Sequence, residues 1–482
     1  MRGTIRIKNI NAFIDGDIDY LHEKLKVRVP GYYWMPAYQS GQWDGYYRFV
    51  NRRGFFPSGL VFAFPEYFKD YQIIDERSTF LKGWLKRDIP VVDKFGDIEL
   101  RDYQIEAVKV AIENRRGILN LATNAGKTEV AISVVESLSR VFPLRALFIV
   151  HRQVLLKQAI ERFKERIGVL PGQIGAGEIR DSGNDIVIAT VQSLWNLAQK
   201  NRAKVRKYFE RFEMVFWDEV HHMKSDTWYQ IAKMIPAYFR FGLTATVPDV
   251  NSLAYWKLAS MTGPILYKLK QSTLVARGYS AIPYLFLVDY YDSGDGRYIY
   301  YQDIVKHEIV ENGARNEAIA LVVKKGIEMG KKIVVLTNYV QHALRIVDAV
   351  AFLVKESNPV MLTGADNIEK RMKYIQQFKN GIVNPLVLTN WFDEGADVPE
   401  IEMFILASGG KADRSIIQRI GRAMRKKEGE NKVIIIDFMD RVKYLKEHTR
   451  KRIRIYEQEG MKPVKIKLSE LDKIEEIIKT GG

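Results

Sequence analysis

The chain has 482 residues, 74 Lys and Arg against 58 Asp and Glu, and no cysteine. That length calls for more than one core, and 47% hydrophobic with 27% charged residues excludes a disordered polymer. The missing thiols exclude disulfides and thiolate metal sites.

A surplus of 16 positive charges suggests an anionic partner, nucleic acid before membrane. No run approaches the ~18 apolar residues of a membrane span. The start, MRGTIRIKNI, lacks the apolar core of a signal peptide, so a cytoplasmic protein with no membrane contact is expected.

Residues 1–95 read as a small aromatic-rich α+β domain that serves DNA binding. Positions 31–72 hold 15 aromatics in 42 residues, where the chain average would give about five. Gly and Pro punctuation there predicts short strands and hairpins. Rings interleaved with Arg48, Arg52 and Arg53 suit stacking on bases or bracing a duplex end. Filling a small core accounts for most of these rings, with an exposed subset left over.

Two blocks follow in which short apolar strands alternate with amphipathic helices. The first, 96–270, contains GILNLAT (117–123), ALFIV (146–150), DIVIAT (185–190), MVFWD (214–218) and FRFGLTAT (239–246). The second, 271–455, contains KIVVLT (332–337), PVMLT (359–363), PLVLT (385–389), EMFILA (402–407) and VIIID (433–437). Continuous apolar strands separated by helices indicate parallel sheets buried on both faces, hence an α/β chain of two lobes with a cleft between them.

Residues 264–300, broken by Gly-Tyr, Ile-Pro and Ser-Gly-Asp-Gly, read as a connection between the lobes. Residues 441–467 carry ten Lys/Arg against three Glu, which fits either a solvated helix or a phosphate-contacting surface. Residues 456–482 are expected to be a basic C-terminal tail.

Chemistry concentrates at strand ends. LATNAGKTEV (121–130) follows an apolar strand and opens a helix, so Thr123, Asn124, Ala125, Gly126, Lys127 and Thr128 form a phosphate-binding loop. Lys127 supplies a point charge to the phosphates of ATP and Thr128 a hydroxyl for Mg²⁺. Ala122 stands where the usual pattern begins with glycine.

Asp218 closes the strand MVFWD, where such sheets hold ligands. It suits the Mg²⁺ shell, and Glu219 suits activation of a water. The adjacent His221 and His222 lack the i,i+4 spacing of a zinc helix.

These residues together resemble superfamily 2 helicases: Asp218-Glu219-Val220-His221 is a DExH box, and further motifs follow in the family's order. The resemblance implies two tandem RecA-like lobes and gives each segment a role. Arg101 and Gln104 in LRDYQIEAV would bind the adenine. His151, Arg152, Thr190 and Gln192 would contact nucleic acid from the first lobe, and Thr244 and Thr246 would couple hydrolysis to movement.

In the second lobe Asn338, Thr363, Gly364 and Thr389 would contact nucleic acid, and Gly395 and Asp397 would complete the nucleotide site. Gln418-Arg419-Ile420-Gly421-Arg422-Ala423-Met424-Arg425 fits Q-R-x-G-R-x-x-R. Within it Gln418, Arg422 and Arg425 would act in catalysis, the arginines by neutralising charge on the γ-phosphate.

The wording of TNAGKT, WDEVHH, GLTAT and Trp43-Asp44-Gly45 is similar to phage DNA helicases of the UvsW type. That likeness implies ATP-driven branch migration, fork regression and R-loop unwinding in replication, recombination and repair. It further implies a monomer acting on branched or forked DNA, with RNA in hybrids as a further substrate, in a host cell's cytoplasm if phage-encoded. Three other readings stand beside it: a DExH RNA helicase, the motor subunit of a restriction-type nuclease, and a non-enzymatic ATP-gated binding protein.

Overall fold

The computed structural model describes residues 2–77, 88–290, 298–389, 398, 401–410, 415–427 and 430–480. The chain divides into two compact units, Met1–Leu269 and Lys270–Gly482.

The first unit is built on an eight-stranded sheet. Across it run Glu178–Arg180, Gly172–Gly175, Ile186–Thr190, Ala146–Val150, Met214–Asp218, Phe239–Thr244, Arg116–Leu121 and Ile265–Leu269. All neighbours are parallel except the hairpin formed by the first two. The apolar runs become interior strands because helices cover both faces. Met214, Val215, Phe216 and Trp217 in succession are inaccessible to solvent, which a sheet with one wet face could not accommodate.

The N-terminal region adds a four-stranded sheet in the order Phe55–Pro57, Asn11–Gly16, Gly3–Ile7, Tyr71–Asp75. Its hairpin expectation needs correction. Tyr32–Trp34 is a 3₁₀ turn, and Pro36–Gln39 and Gly59–Ala63 are short helices. Pro36 explains part of this, since a fixed φ and a missing N–H suit a helix's first turn. Of the large rings, Phe49, Phe56, Phe68 and Tyr71 are buried in the core, and Tyr47, Phe62, Phe64 and Tyr67 pack half-buried against it.

This region shares its core with one face of the eight-stranded sheet. Phe64 stacks on Trp256 with centroids 4.3 Å apart. Asn9 Nδ2 donates to Pro236 O at 2.7 Å. Two buried arginines stand side by side at the amino ends of neighbouring strands, Arg116 and Arg240. Arg116 donates to Thr262 O (2.8 Å), Met261 O (3.3 Å) and Ser58 Oγ (3.1 Å). Arg240 donates to Met261 O (2.6 Å), Ala232 O (3.0 Å) and Ile235 O. Met261 and Thr262 end the helix Leu253–Met261, whose unpaired carbonyls and negative dipole end stabilise both guanidinium groups.

The second unit is a seven-stranded, all-parallel sheet in the order Val360–Leu362, Leu386–Leu388, Ile333–Leu336, Met403–Leu406, Lys432–Phe438, Ile282–Asp289, Val464–Lys467. Two expectations change here. Residues 264–300 are not simply a connection, because Ile265–Leu269 edges the first sheet and Ile282–Asp289 lies inside the second. Pro283 suggested a break, but it sits at the strand's beginning, where a missing donor is tolerated.

Residues 456–482 are likewise not an appended tail. Val464–Lys467 pairs with Ile282–Asp289, and Ile474 and Ile478 of the helix Lys473–Thr480 are buried. In the basic helix Lys443–Gln458, Lys446, Arg450, Lys451 and Arg454 form an exposed face, while Arg452 is buried.

Gly59 tests the docking of the N-terminal region. A Cβ there would lie 2.3 Å from the carbonyl oxygens of Ala259 and Ser260. Gly59→Ala should therefore cost about 1–3 kcal/mol by overpacking, read as a lower midpoint of thermal unfolding; an unchanged midpoint would show that this close approach is dispensable.

Candidate nucleotide site and nucleic-acid segments

The strand Arg116–Leu121 delivers the loop 122–126 to the start of the helix Lys127–Ser139. Asn124 (φ 64°) and Gly126 (φ 75°) adopt left-handed backbone, and Gly126 is the helix N-cap. This curls the chain so that the amide groups of the helix's first turn face outward together, an arrangement that binds anions. Glycine is required at 126 for a second reason: a Cβ would lie 2.2 Å from Gln104 Nε2.

Gln104 is buried, donating to Ala125 O at 2.9 Å and accepting from Arg101 N at 2.8 Å. It braces the phosphate loop against the helix Asp102–Asn114. The Arg101 guanidinium donates to Tyr103 Oη at 2.8 Å.

Opposite the loop, Asp218 ends its strand and Glu219 follows with φ 51°, strained for a residue with a side chain. Lys127 Nζ lies 3.1 Å from Glu219 Oε1, so a sequence separation of 92 residues closes into one ion pair. His221 Nδ1 lies 3.3 Å from Glu219 Oε2 and 3.1 Å from Thr244 Oγ1. Thr244 Oγ1 in turn donates to Thr246 O (3.0 Å) and accepts from Thr246 N (3.1 Å). Both threonines thus belong to the same chain of contacts as the carboxylates.

The two acids differ electrostatically. Burial and the neighbouring Glu219 charge push Asp218 above the ordinary carboxylate range. Burial opposes ionisation of Glu219 too, but the Lys127 charge and the His221 hydrogen bond outweigh it and hold Glu219 low. Glu219 is therefore an ionised acceptor at neutral pH. Lys127, Thr128, Asp218 and the first-turn amides present one cation, one hydroxyl and one carboxylate, a donor set that fits a magnesium–nucleotide substrate.

Three site residues were not visible from motif reading. Trp228 packs at a tilt against His222 (5.6 Å), which packs at a tilt against His151 (4.7 Å), joining the segment after Asp218 to a candidate nucleic-acid segment. Burial and the neighbouring His221 and His151 lower His222 to about 3, so it is a neutral ring. Asn120 faces the carbonyls of Thr244 (3.2 Å) and Ala245 (3.0 Å), to which its amide nitrogen donates when turned toward them. Arg371 donates to Thr363 O (3.1 Å) and Gly364 O (2.6 Å), shaping a loop of the second lobe. No spacing rule marks these contacts: Asn120 meets its partners across neighbouring strands, whereas Trp228 and Arg371 reach theirs from helices.

The nucleic-acid candidates divide by exposure. Gln192 and Gly364 are exposed, and His151, Arg152 and Asn338 are half-buried. Thr190, Thr363 and Thr389 are buried. Thr190 caps the helix Val191–Lys200, and Thr363 accepts and donates within the turn closed by Asp366. Gln418 and Arg422 lie one turn apart on the helix Ser415–Ala423, with Arg425 just beyond its end. Gly395 and Asp397 lie outside the described residues.

Comparisons with known proteins agree with this geometry. Residues 97–249 match the family model "Type III restriction enzyme, res subunit", and residues 315–427 match "Helicase conserved C-terminal domain". The DNA 3'-5' translocase XPB2 of Sulfurisphaera tokodaii is 29% identical over 409 residues, covering 75% of this chain and 88% of its own. The ATP-dependent DNA helicase uvsW of Enterobacteria phage T4 is 25% identical over 448 residues, 87% of this chain and 86% of its own.

Among solved structures, the fold resembles Saccharomyces cerevisiae Dbp5 bound to RNA and ADP BeF3, with TM-score 0.55, 17% identity and coverage of 79% of this chain and 93% of that one. It also resembles the ATP-dependent Type ISP restriction-modification enzyme LlaBIII bound to DNA, with TM-score 0.57, 17% identity and coverage of 82% of this chain and 34% of that one. The phosphate loop faces the Asp218–Glu219 strand end in the first lobe, and both family models match in order along the chain: this protein belongs to the superfamily 2 helicases and is an ATP-hydrolysing nucleic-acid helicase.

Proposed function

We propose that the protein is an ATP-driven DNA motor that remodels branched DNA through branch migration, fork regression and R-loop unwinding. The Lys127–Glu219 ion pair is the observation that supports the chemistry. A nucleotide phosphate competes for Lys127, and its arrival frees Glu219 to take a proton from the attacking water as ATP and water become ADP and phosphate. Mg²⁺, held through Thr128 and Asp218, supplies charge neutralisation on the phosphates. Arg101 and Gln104 are assigned to the adenine, which requires Gln104 to exchange a present partner for the base. Gln418, Arg422 and Arg425 are assigned to the charge that develops on the γ-phosphate, with Gly395 and Asp397 assigned to the same nucleotide.

His221 touches both Glu219 and Thr244, which supports a coupling role for Thr244 and Thr246. Asn338, Gly364, Gln192, His151 and Arg152 are assigned to the nucleic acid, with Thr190, Thr363 and Thr389 holding their loops in shape. The choice of DNA rests on the relatives, a DNA translocase and a DNA helicase; the net charge of +16 supports a nucleic-acid partner of either kind.

Steady-state ATPase with no nucleic acid, single-stranded DNA, duplex, a four-way junction or RNA tests this. Strongest stimulation by the junction is expected; stimulation by RNA alone would make the protein an RNA motor. Cleavage of supercoiled plasmid with Mg²⁺ and ATP would instead revive the nuclease-associated reading.

Lys127→Ala should lower turnover by about 100-fold or more through lost phosphate stabilisation. Glu219→Gln should keep ATP binding and lose about 10²–10⁴-fold in hydrolysis, trapping a DNA-bound state. Arg425→Ala should slow turnover with nucleotide affinity changed less; normal hydrolysis in it would remove the arginine assignment. Thr244→Val should keep DNA-independent hydrolysis and lose strand movement, measured on a fluorescent four-way junction.

A further inference from the structure

The nucleotide site leaves the Trp43-Asp44-Gly45 motif without a role. In the structure these residues build a support. Trp43 Nε1 donates to Tyr46 O at 2.9 Å. Asp44 accepts two bonds from Arg48, at 2.9 and 2.5 Å, and one from Tyr46 N. Gly45, at φ 80°, passes so close to Tyr32 and Arg28 that a Cβ would lie 2.7 Å from the Tyr32 ring and 2.9 Å from the Arg28 guanidinium. Arg28 is thereby seated over Tyr32 (4.6 Å) and Tyr46 (4.0 Å). Tyr32 packs edge-on against Tyr38 at 4.7 Å and Tyr33 at 5.5 Å.

What this support holds out is unusual. Tyr33 is 53% exposed and Trp34 74%, with rings 5.1 Å apart and tilted by 55°. They sit on a 3₁₀ turn that Gly31 enters in left-handed backbone and Pro36 leaves into a helix, and Gln39 Nε2 ties the Tyr33 carbonyl at 3.2 Å. Leaving a tryptophan and a tyrosine in water sacrifices burial that the adjoining core could have supplied, and clustered exposed apolar groups on a folded surface mark contact sites. The turn is ordered by its own rings and bonds, so its rings lose little freedom on binding.

Charge decides the occupant. Residues 23–53 hold six Lys and Arg against two acids, Glu23 and Asp44. Both acids are paired, Glu23 with Lys26 and Arg48 and Asp44 with Arg48, which leaves an excess of four cations in this segment, Arg28 on the Tyr32 support among them. An apolar protein patch would gain little from that charge. A polyanion that carries flat rings gains from both the cations and the aromatic faces.

We infer that Tyr33 and Trp34 form a stacking platform for unpaired nucleobases, used where the duplex opens at a branch. This rests on the DNA-motor reading and assigns it a base-contacting surface outside the motor motifs. The platform reads flat faces and no base edges, so it is indifferent to sequence and sensitive to pairing, because paired bases are already stacked.

The test measures ATPase of the full chain against concentration of a forked DNA with single-stranded arms and of a blunt duplex of equal length. Trp34→Ala should raise the half-saturating fork concentration about tenfold, with turnover at saturation within about twofold and the duplex curve unmoved. Trp34→Phe should restore most of the affinity, since a ring face remains. Coincident fork curves for wild type and Trp34→Ala would overturn the platform, as would equal losses on fork and duplex or failure of phenylalanine to rescue. Sedimentation showing a wild-type dimer that Trp34→Ala dissolves would assign the surface to a second copy. A wild type that no DNA stimulates would sink the motor reading and the platform with it, whereas a responsive wild type beside an equally responsive variant sinks the platform alone.

Discussion

The parallel register of three neighbouring strands determines where the first lobe's chemistry can happen. Met214–Asp218 lies beside Phe239–Thr244, which lies beside Arg116–Leu121, with Asp218 opposite Leu243 and Thr244 opposite Asn120. Parallel strands in register end together, and their carboxyl ends open on one edge. The loop 122–126, the acid pair and Thr244 are therefore delivered to the same place from residues far apart in sequence. Lys127, Glu219, His221, Thr244 and Thr246 then connect through short polar contacts. Few side chains separate Lys127 from Thr246 along this chain of contacts.

The opposite end of the same sheet holds a buried polar cluster. Arg116 and Arg240 are the two largest polar groups buried there, and their donors are satisfied by carbonyls that a helix end would otherwise leave unpaired. Buried guanidinium groups are costly unless fully bonded. Ser58 completes the arrangement for Arg116, so the N-terminal region is joined to the lobe through the same polar cluster that stabilises the sheet's amino edge. Any base-contacting surface on that region is thus held rigidly to the lobe that binds the phosphate.

The second lobe uses buried charge differently. Asp437 accepts from Arg452 and Tyr456, and Asp440 from Arg315 and Tyr290, all of them nearly inaccessible to solvent. Spare donors reach backbone oxygens at Ala407 (Arg315, 2.7 Å) and Gly410 (Arg452, 3.3 Å). Ion pairs of this kind contribute little net stability because of desolvation, but they penalise any arrangement that leaves one partner unpaired. Here they fix the backbone at Ala407 and Gly410, just after Met403–Leu406.

The sequence by itself determined the strands whose both faces are buried, since a continuous apolar run has no other stable use, and it determined the phosphate loop and DExH box, because their chemistry depends on contiguous residues. Ile282–Asp289 was hidden by its proline and Val464–Lys467 by alternating lysines at a sheet edge, while Ile265–Leu269 is a short edge strand beside the breaks that follow it. What only the tertiary structure decided was partnership: that Lys127 rests on Glu219, that His222 packs between His151 and Trp228, that Arg452 of a basic run is buried on Asp437, and that of fifteen clustered aromatics Tyr33, Trp34 and Phe55 face water. These outcomes depend on which strands become neighbours and which ring finds room in a finite core. Both are properties of the packed chain, and local pattern carries no record of them.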